Sequence, residues 1–245
     1  MRIPRIHQPG PLAAGEIVEL DGQAAVHLTR VLRLRAGDPL VLFNGEGGEF
    51  AARLLEAGRR SARIEVGEFT ERERESPLEL VLAQGVSRGE RMDYTVQKAV
   101  ELGVSRIVPL AAERTTVNLD GERRDKRLAH WQGVVVAACE QSGRNRVPVV
   151  EPVRGLAEWL REAPGSAGLK LVLHHRAEQS LAGLPRPHGP VTLLIGPEGG
   201  LSEAEIELAI GHGFRPLRLG PRVLRTETAA VAAMAVLQWV WGDCS

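Results

Sequence analysis

Cysteine, lysine and long apolar runs are all scarce in this chain, and each shortage removes a class of protein. Cys139 and Cys244 are the only cysteines in 245 residues. They stand far apart, with no CxxC and no metal-ligand spacing, so neither a disulfide scaffold nor a metal site is expected. A reducing, cytoplasmic setting fits them. The N-terminal MRIPRIHQPG has no apolar core behind its charges, and no run of about 18 apolar residues occurs anywhere. Neither export nor a membrane partner is expected. Basic and acidic residues balance at 31 each, which leaves no strong overall field for nucleic acid. A nucleic-acid partner must therefore meet a local patch. Lys98, Lys126 and Lys170 are the only lysines, so 31 minus 3 leaves 28 arginines. Arginine offers a flat fork of donors suited to phosphates and base edges, although so general a bias also arises from genome composition or a hot habitat. The Walker pattern GxxxxGK[ST], the dinucleotide turn GxGxxG, the zincin HExxH and the hydrolase elbow GxSxG are all missing. Ordinary ATP, NAD and zinc-hydrolase chemistry are disfavoured accordingly.

What is present divides the chain in two. From Glu16 to about Gly67, short alternating segments (EIVEL, PLVLFNG, GEFAARLLE, ARIEVGEF) are separated by Gly-rich turns such as Asn44-Gly45 and Gly47-Gly48. This predicts a small β-rich, barrel-like domain over residues 1–69, with one short helix around Gln23 to Leu34. TERERESP, residues 70–77, is polar without apolar period and reads as the linker. After Pro77 apolar strands alternate with amphipathic helices: LELVLA, a helix near Glu90 to Leu102, RIVPL, a helix near Asp125 to Ser142, LKLVLHH, VTLLIG, a helix opened by Ser202, RPLRLG, and a last helix from Thr226 to Trp241. That alternation predicts an α/β domain with a parallel sheet over residues 78–245.

Two corners of this domain draw the chemistry. In LIGPEGGLSEAEIELA a strand ends in Gly196-Pro197, exposes the carboxylate Glu198, and opens a helix with a Ser202/Glu205 capping box worth ~1 kcal/mol. Gly199 and Gly200 permit positive φ and close approach of a ligand, and the helix positions Ile206, Ala209 and Ile210 read as core. In RLGPRVLRTETAA a second strand ends in Gly220-Pro221, and Arg222, Arg225, Thr226, Glu227 and Thr228 fall within seven positions. Polar side chains this dense beside an apolar helix are costly unless they pair or meet a ligand. In open α/β sheets ligands gather outside the carboxyl ends of the strands, which makes both corners candidate ligand walls.

GPEGGLSEAE and LGPRVLRTETA, in this order, resemble the two C-terminal motifs of the RsmE-type ribosomal RNA methyltransferases of the SPOUT class. RMDYTVQKAVELGVSRIVPLAAERTTV (91–117), EQSGRNRVPVV (140–150) and HLTRVLRLRAGDPLVLFNG (27–45) extend the resemblance over nearly the whole chain. It implies a knotted (trefoil) SPOUT methyltransferase domain behind a PUA-like β-barrel, acting as a homodimer. The activity it implies is transfer of a methyl group from S-adenosylmethionine to N3 of a uridine in 16S ribosomal RNA, within the small ribosomal subunit. Adenosylmethionine carries no phosphate, which agrees with the missing phosphate motifs. By resemblance, the cofactor walls are Leu173, Ile195, Gly196, Gly199, Gly200, Leu219, Gly220, Leu224 and Thr226.

The chemistry asks for a nucleophilic uracil N3, which carries a proton at neutral pH. Arg225 is expected to stabilise the developing anion, and Glu198 and Glu227 are candidate bases between which the sequence does not choose. Methylation at a ring carbon would call for a thiol, and neither Cys139 nor Cys244 looks placed for it. RNA contacts are expected from Arg144 and Asn145, turned outward by the helix stop at Gly143, with Gln141 nearby, from the cluster Arg30, Arg33 and Arg35, and from Arg114. The apolar last helix, ending in Trp239 and Trp241, suits a subunit interface. A SPOUT enzyme for a ribose hydroxyl or a transfer RNA base, and a noncatalytic RNA-binding assembly factor, are the alternatives.

Overall fold

The computed structural model describes residues 3–58, 61–117, 120–162 and 168–244. It divides into two compact units, Met1–Glu75 with Cys139–Val147, and Ser76–Ala138 with Pro148–Ser245. The short segment Cys139–Val147, which the alternating pattern assigns to residues 78–245, belongs to the first unit.

The first unit is built on a five-stranded sheet of β1 (Arg5–His7), β2 (Ile17–Asp21), β3 (Pro39–Phe43), β4 (Glu49–Ala57) and β5 (Ser61–Thr70), in the order β1-β3-β4-β5-β2. Only β1 and β3 run parallel; the other pairs are antiparallel. Alternation in β4 and β5 sends Phe50, Ala52, Leu54, Ala62, Ile64 and Val66 to one face, where they meet Ile6, Leu20, Leu40 and Leu42. Two irregularities in the β4–β5 register bend the sheet over that core. The expected helix is shorter than its pattern suggested and widens along its length: α1 (Gly22–Val26) passes into a single π-helical stretch, His27–Val31. It closes with Arg33 at φ 55°, the one non-glycine residue with positive φ among those described.

The second unit carries an all-parallel sheet of β6 (Leu80–Gly85), β7 (Arg106–Ala111), β8 (Val149–Val150), β9 (Arg154–Gly155), β10 (Leu169–Leu173), β11 (Val191–Ile195) and β12 (Arg215–Leu217). Its order is β12-β10-β11-β6-β7-β8, with β9 also paired to β7. The first strand, β6, thus sits between β7, which follows it, and β11, a late strand. Beyond β6 the chain builds outward to β7 and β8, then returns to build the other half, which places a topological switch at the carboxyl ends of β6 and β11. The helices are α2 (Glu90–Glu101), α3 (Gly121–Ser142), α4 (Leu156–Glu162), α5 (Glu203–Gly211) and α6 (Thr226–Trp241). On α2, Met92, Thr95, Val96, Ala99 and Val100 are buried at helical spacing, and this face packs on α6. Met92, Val96 and Val100 each contribute about 1.5–3 kcal/mol when fully buried. Helix α4 and the short β8 and β9 were not foreseen. Ile210 is a further departure: it is 45% exposed, whereas Ile206 and Ala209 are buried as expected.

Candidate functional site

The carboxyl ends of β10, β11 and β12 open onto one cavity of about 570 Å³. The β11–α5 corner enters first. Ser202 accepts from the Glu205 N–H while Glu205 accepts from the Ser202 N–H, so the capping box forms in full. The other carboxylate oxygen of Glu205 accepts from the Glu113 backbone N–H at 2.8 Å, which fastens the Arg114 turn to the same corner. Arg114 in turn donates to the Gly199 carbonyl at 3.1 Å. Space here is so tight that a Cβ on Gly196 would lie 2.7 Å from the Leu201 nitrogen, and Gly200 adopts φ 70°. The glycines are therefore required by backbone geometry and by neighbours alike.

The β12–α6 corner is joined to the first by a buried polar link. Thr226 Oγ1 donates to the Gly196 carbonyl at 2.7 Å and accepts from Gln84 Nε2 at 2.9 Å. Gln84, at the end of β6, is fully buried, and its Nε2 also reaches the Gly85 carbonyl at 3.0 Å. This glutamine was missed in the sequence, where one amide at the end of an apolar run carries no periodic signal.

All nine residues expected to wall the cofactor line this cavity: Leu173, Ile195, Gly196, Gly199, Gly200, Leu219, Gly220, Leu224 and Thr226. Glu198, Arg225, Glu227 and Arg114 line it too. Glu198 Oε1 accepts from the Arg88 backbone N–H at 2.8 Å and from Arg91 Nη1 at 3.1 Å. Burial pushes the Glu198 carboxyl up, but these donors outweigh it and hold the group below the ordinary glutamate range. The bond to Arg88 also serves α2, whose N-cap Gly89 has no side-chain cap. Glu227, in the first turn of α6, has its Oε2 buried with no hydrogen-bond partner. Arg225, the N-cap of α6, is exposed and has no partner for its guanidinium among the described residues.

Comparison with known proteins agrees with this architecture. The family described as RNA methyltransferase domain matches residues 74–238, and the RNA methyltransferase PUA domain matches residues 20–67. A ribosomal RNA small subunit methyltransferase E from Buchnera aphidicola is 36% identical across 100% of this chain and 99% of its own. The chain belongs to the ribosomal RNA small subunit methyltransferase E family. A member of that family from Neisseria gonorrhoeae, solved bound to S-adenosyl methionine, shares 41% identity with a TM-score of 0.92, covering 100% of both chains. A methyltransferase from Legionella pneumophila, solved with bound SAM, shares 44% identity with a TM-score of 0.95, covering 99% of this chain and 100% of that one. In this member of the E family the first unit is a PUA-like domain with a curled sheet, and the second is an α/β methyltransferase domain of the SPOUT class.

The residues expected at RNA separate into two groups. Arg30, Arg33 and Arg35 are all exposed, as are Arg114 and Gln141. Arg144 and Asn145 are not turned outward: they are 4% and 0% exposed. Arg144 Nε donates to Glu75 at 3.0 Å. Asn145 accepts from Arg5 and donates to the Arg72 carbonyl, while Arg5 also pairs with Glu49. A charge buried this far needs partners, and these come from segments far away in sequence. Glu49 bears the mark of the cluster: burial raises its carboxyl, yet Arg5, Asn145 and Arg72 bring it below the usual range. Cys139 is buried and its thiol is pushed up to about 12, chiefly by that burial, so it is no nucleophile. Among the described residues no cluster of metal-ligating side chains occurs, and no helix is long and apolar enough to cross a membrane.

Proposed function

We propose that this protein transfers a methyl group from S-adenosylmethionine to N3 of a uridine in 16S ribosomal RNA, working in the cytoplasm as a homodimer on the small ribosomal subunit. The cavity over the ends of β10, β11 and β12 carries the reading, since relatives that cover the whole chain were solved with this cofactor. The cavity fits it on its own terms. Leu173, Ile195, Leu219 and Leu224 supply apolar walls for an adenine, and Gly200 and Gly220 leave open space beside them. When bound, the cofactor supplies an activated methyl group on a sulfonium.

Residues of the chain do the rest. The glycines of both corners admit the adenosine, and Thr226 holds the corners together. Arg225, free of any internal partner, stabilises the negative charge that develops on the uracil oxygens. The exposed Arg30, Arg33 and Arg35 of residues 1–69 and Arg114 of residues 78–245 hold RNA phosphates, and the exposed Gln141 is a further RNA contact. Threading of the C-terminal corner into a trefoil knot belongs to the same reading. So does pairing of two copies through the exposed Val236, Trp239 and Val240 of α6.

The deciding experiment maps nucleosides by mass spectrometry in small-subunit ribosomal RNA from a strain lacking the protein, after incubating intact subunits with purified enzyme and labelled S-adenosylmethionine. One new 3-methyluridine, absent with Arg225→Ala, is expected. Label on a ribose or in transfer RNA instead would assign another SPOUT reaction. No label and no cofactor binding would make the protein a noncatalytic RNA binder.

A further inference from the structure

Two carboxylates line the cavity, and their surroundings differ. Glu198 is committed, with one oxygen taking both the Arg88 N–H and the Arg91 guanidinium. Glu227 has an oxygen that is buried and unpartnered among the described residues, an arrangement that is unfavourable until something donates to it. Among the arginines that line the cavity, Arg91 holds Glu198, Arg114 holds the Gly199 carbonyl and Arg176 holds Glu203, whereas the exposed Arg218, Arg222 and Arg225 have no side-chain partner among the described residues. Of these three, Arg225 is the N-cap of α6, two positions before Glu227, so an unpartnered donor and an unpartnered acceptor among the described residues stand together at the start of α6.

We propose that these two side chains read the imide edge of the target base, with Glu227 accepting the N3–H and removing its proton while Arg225 donates to the adjacent carbonyl oxygen, and that Glu198 is a positioning residue that fixes the loop between β6 and α2. This rests on the uridine-N3 reading above. Uracil presents acceptor, N–H donor and acceptor in a row, so one cation beside one carboxylate oxygen matches two neighbouring atoms of it. Cytosine has no hydrogen on N3, which would leave Glu227 facing an acceptor with no proton to take. In the transfer the N3–H bond breaks toward Glu227, and its electron pair stays on N3. That pair forms the bond to the methyl carbon as the carbon–sulfur bond breaks and its pair remains on sulfur. Water takes the proton from Glu227 as the product leaves.

The test uses full-length protein with small subunits in single turnover. Glu227→Gln should slow methylation about 10²–10⁴-fold, and its remaining rate should climb more steeply with pH than the wild-type rate, since only uridine already deprotonated then reacts. Calorimetric affinity of Glu227→Gln for S-adenosylmethionine should stay within about threefold of wild type. Glu227→Asp should restore the wild-type shape of the profile. Glu198→Gln should keep that shape whatever its rate, and Glu198→Ala, unlike Glu198→Gln, should speed amide hydrogen exchange at Arg88. A Glu227→Gln enzyme within threefold of the wild-type rate, or a steepened profile in Glu198→Gln instead, would overturn the assignment. A wild-type enzyme that methylates no uridine would overturn the proposed function, and the assignment with it.

Discussion

Thr226→Val isolates the link that joins the two corners. Valine keeps the shape of threonine but removes an oxygen that donates to the Gly196 carbonyl at 2.7 Å and accepts from Gln84 Nε2 at 2.9 Å. Thr226 is 7% exposed and Gln84 is 0% exposed, so water cannot replace what is lost. Gln84 Nε2 keeps its bond to the Gly85 carbonyl at 3.0 Å and a long one to the Gly196 carbonyl at 3.4 Å. The Gly196 carbonyl therefore loses its stronger donor. Leaving one buried polar group poorly satisfied costs about 2 kcal/mol, which for a chain of this size lowers the melting temperature by roughly 4–8 °C. Differential scanning calorimetry of the apoprotein measures it. A cycle with Gln84→Leu should then show coupling of about 1 kcal/mol, because both substitutions break the same bond. A melting temperature within about 1 °C of wild type, with additive effects in the cycle, would refute the claim that this link holds the corners.

Gly196→Ala places a Cβ 2.7 Å from the Leu201 nitrogen and 2.8 Å from the Gly200 carbonyl carbon, so calorimetry should find S-adenosylmethionine binding lost. Glu198 titrates below its ordinary 4.5, so the stability it contributes is present above that value and disappears as pH falls through the lower folded-state value; acid should destabilise wild type more than Glu198→Gln in melts. Exposed Cys244 should react with a maleimide in the native protein, whereas buried Cys139, its thiol at about 12, should react only after denaturation. Trp239, 64% exposed on α6, should when changed to Glu shift the protein to a monomer in sedimentation and remove methylation with it.

Both corners were legible because their signals are local. A Gly-Pro step after an apolar run, then Ser202 with Glu205 three residues on, specifies strand, turn and helix within one short window. The strand order was not legible, since no periodicity says that β6 lies beside β11. Gln84 was hidden for the same reason: its partners Thr226 and Gly196 are distant in sequence. Arg144 and Asn145 misled in the opposite direction. Polar residues after a helix stop normally face water, and only the fold supplies Glu75, Arg5 and the Arg72 carbonyl that let them sit inside. The one short helix suggested by Gln23 to Leu34 divides into α1 and a π-helical stretch ending at Val31, a detail that hydrophobic spacing alone does not encode.

The bond from Gln84 to Thr226 spans 142 positions of sequence. Closing so long a loop is entropically unfavourable until the strands between are in place. During synthesis, which runs from the N-terminus, β6 is made well before α6 and must wait for it before its glutamine has a partner. A nascent chain truncated anywhere before Thr226 lacks one wall of the cavity, so binding competence arrives only once α6 has been made, in a single step with its docking.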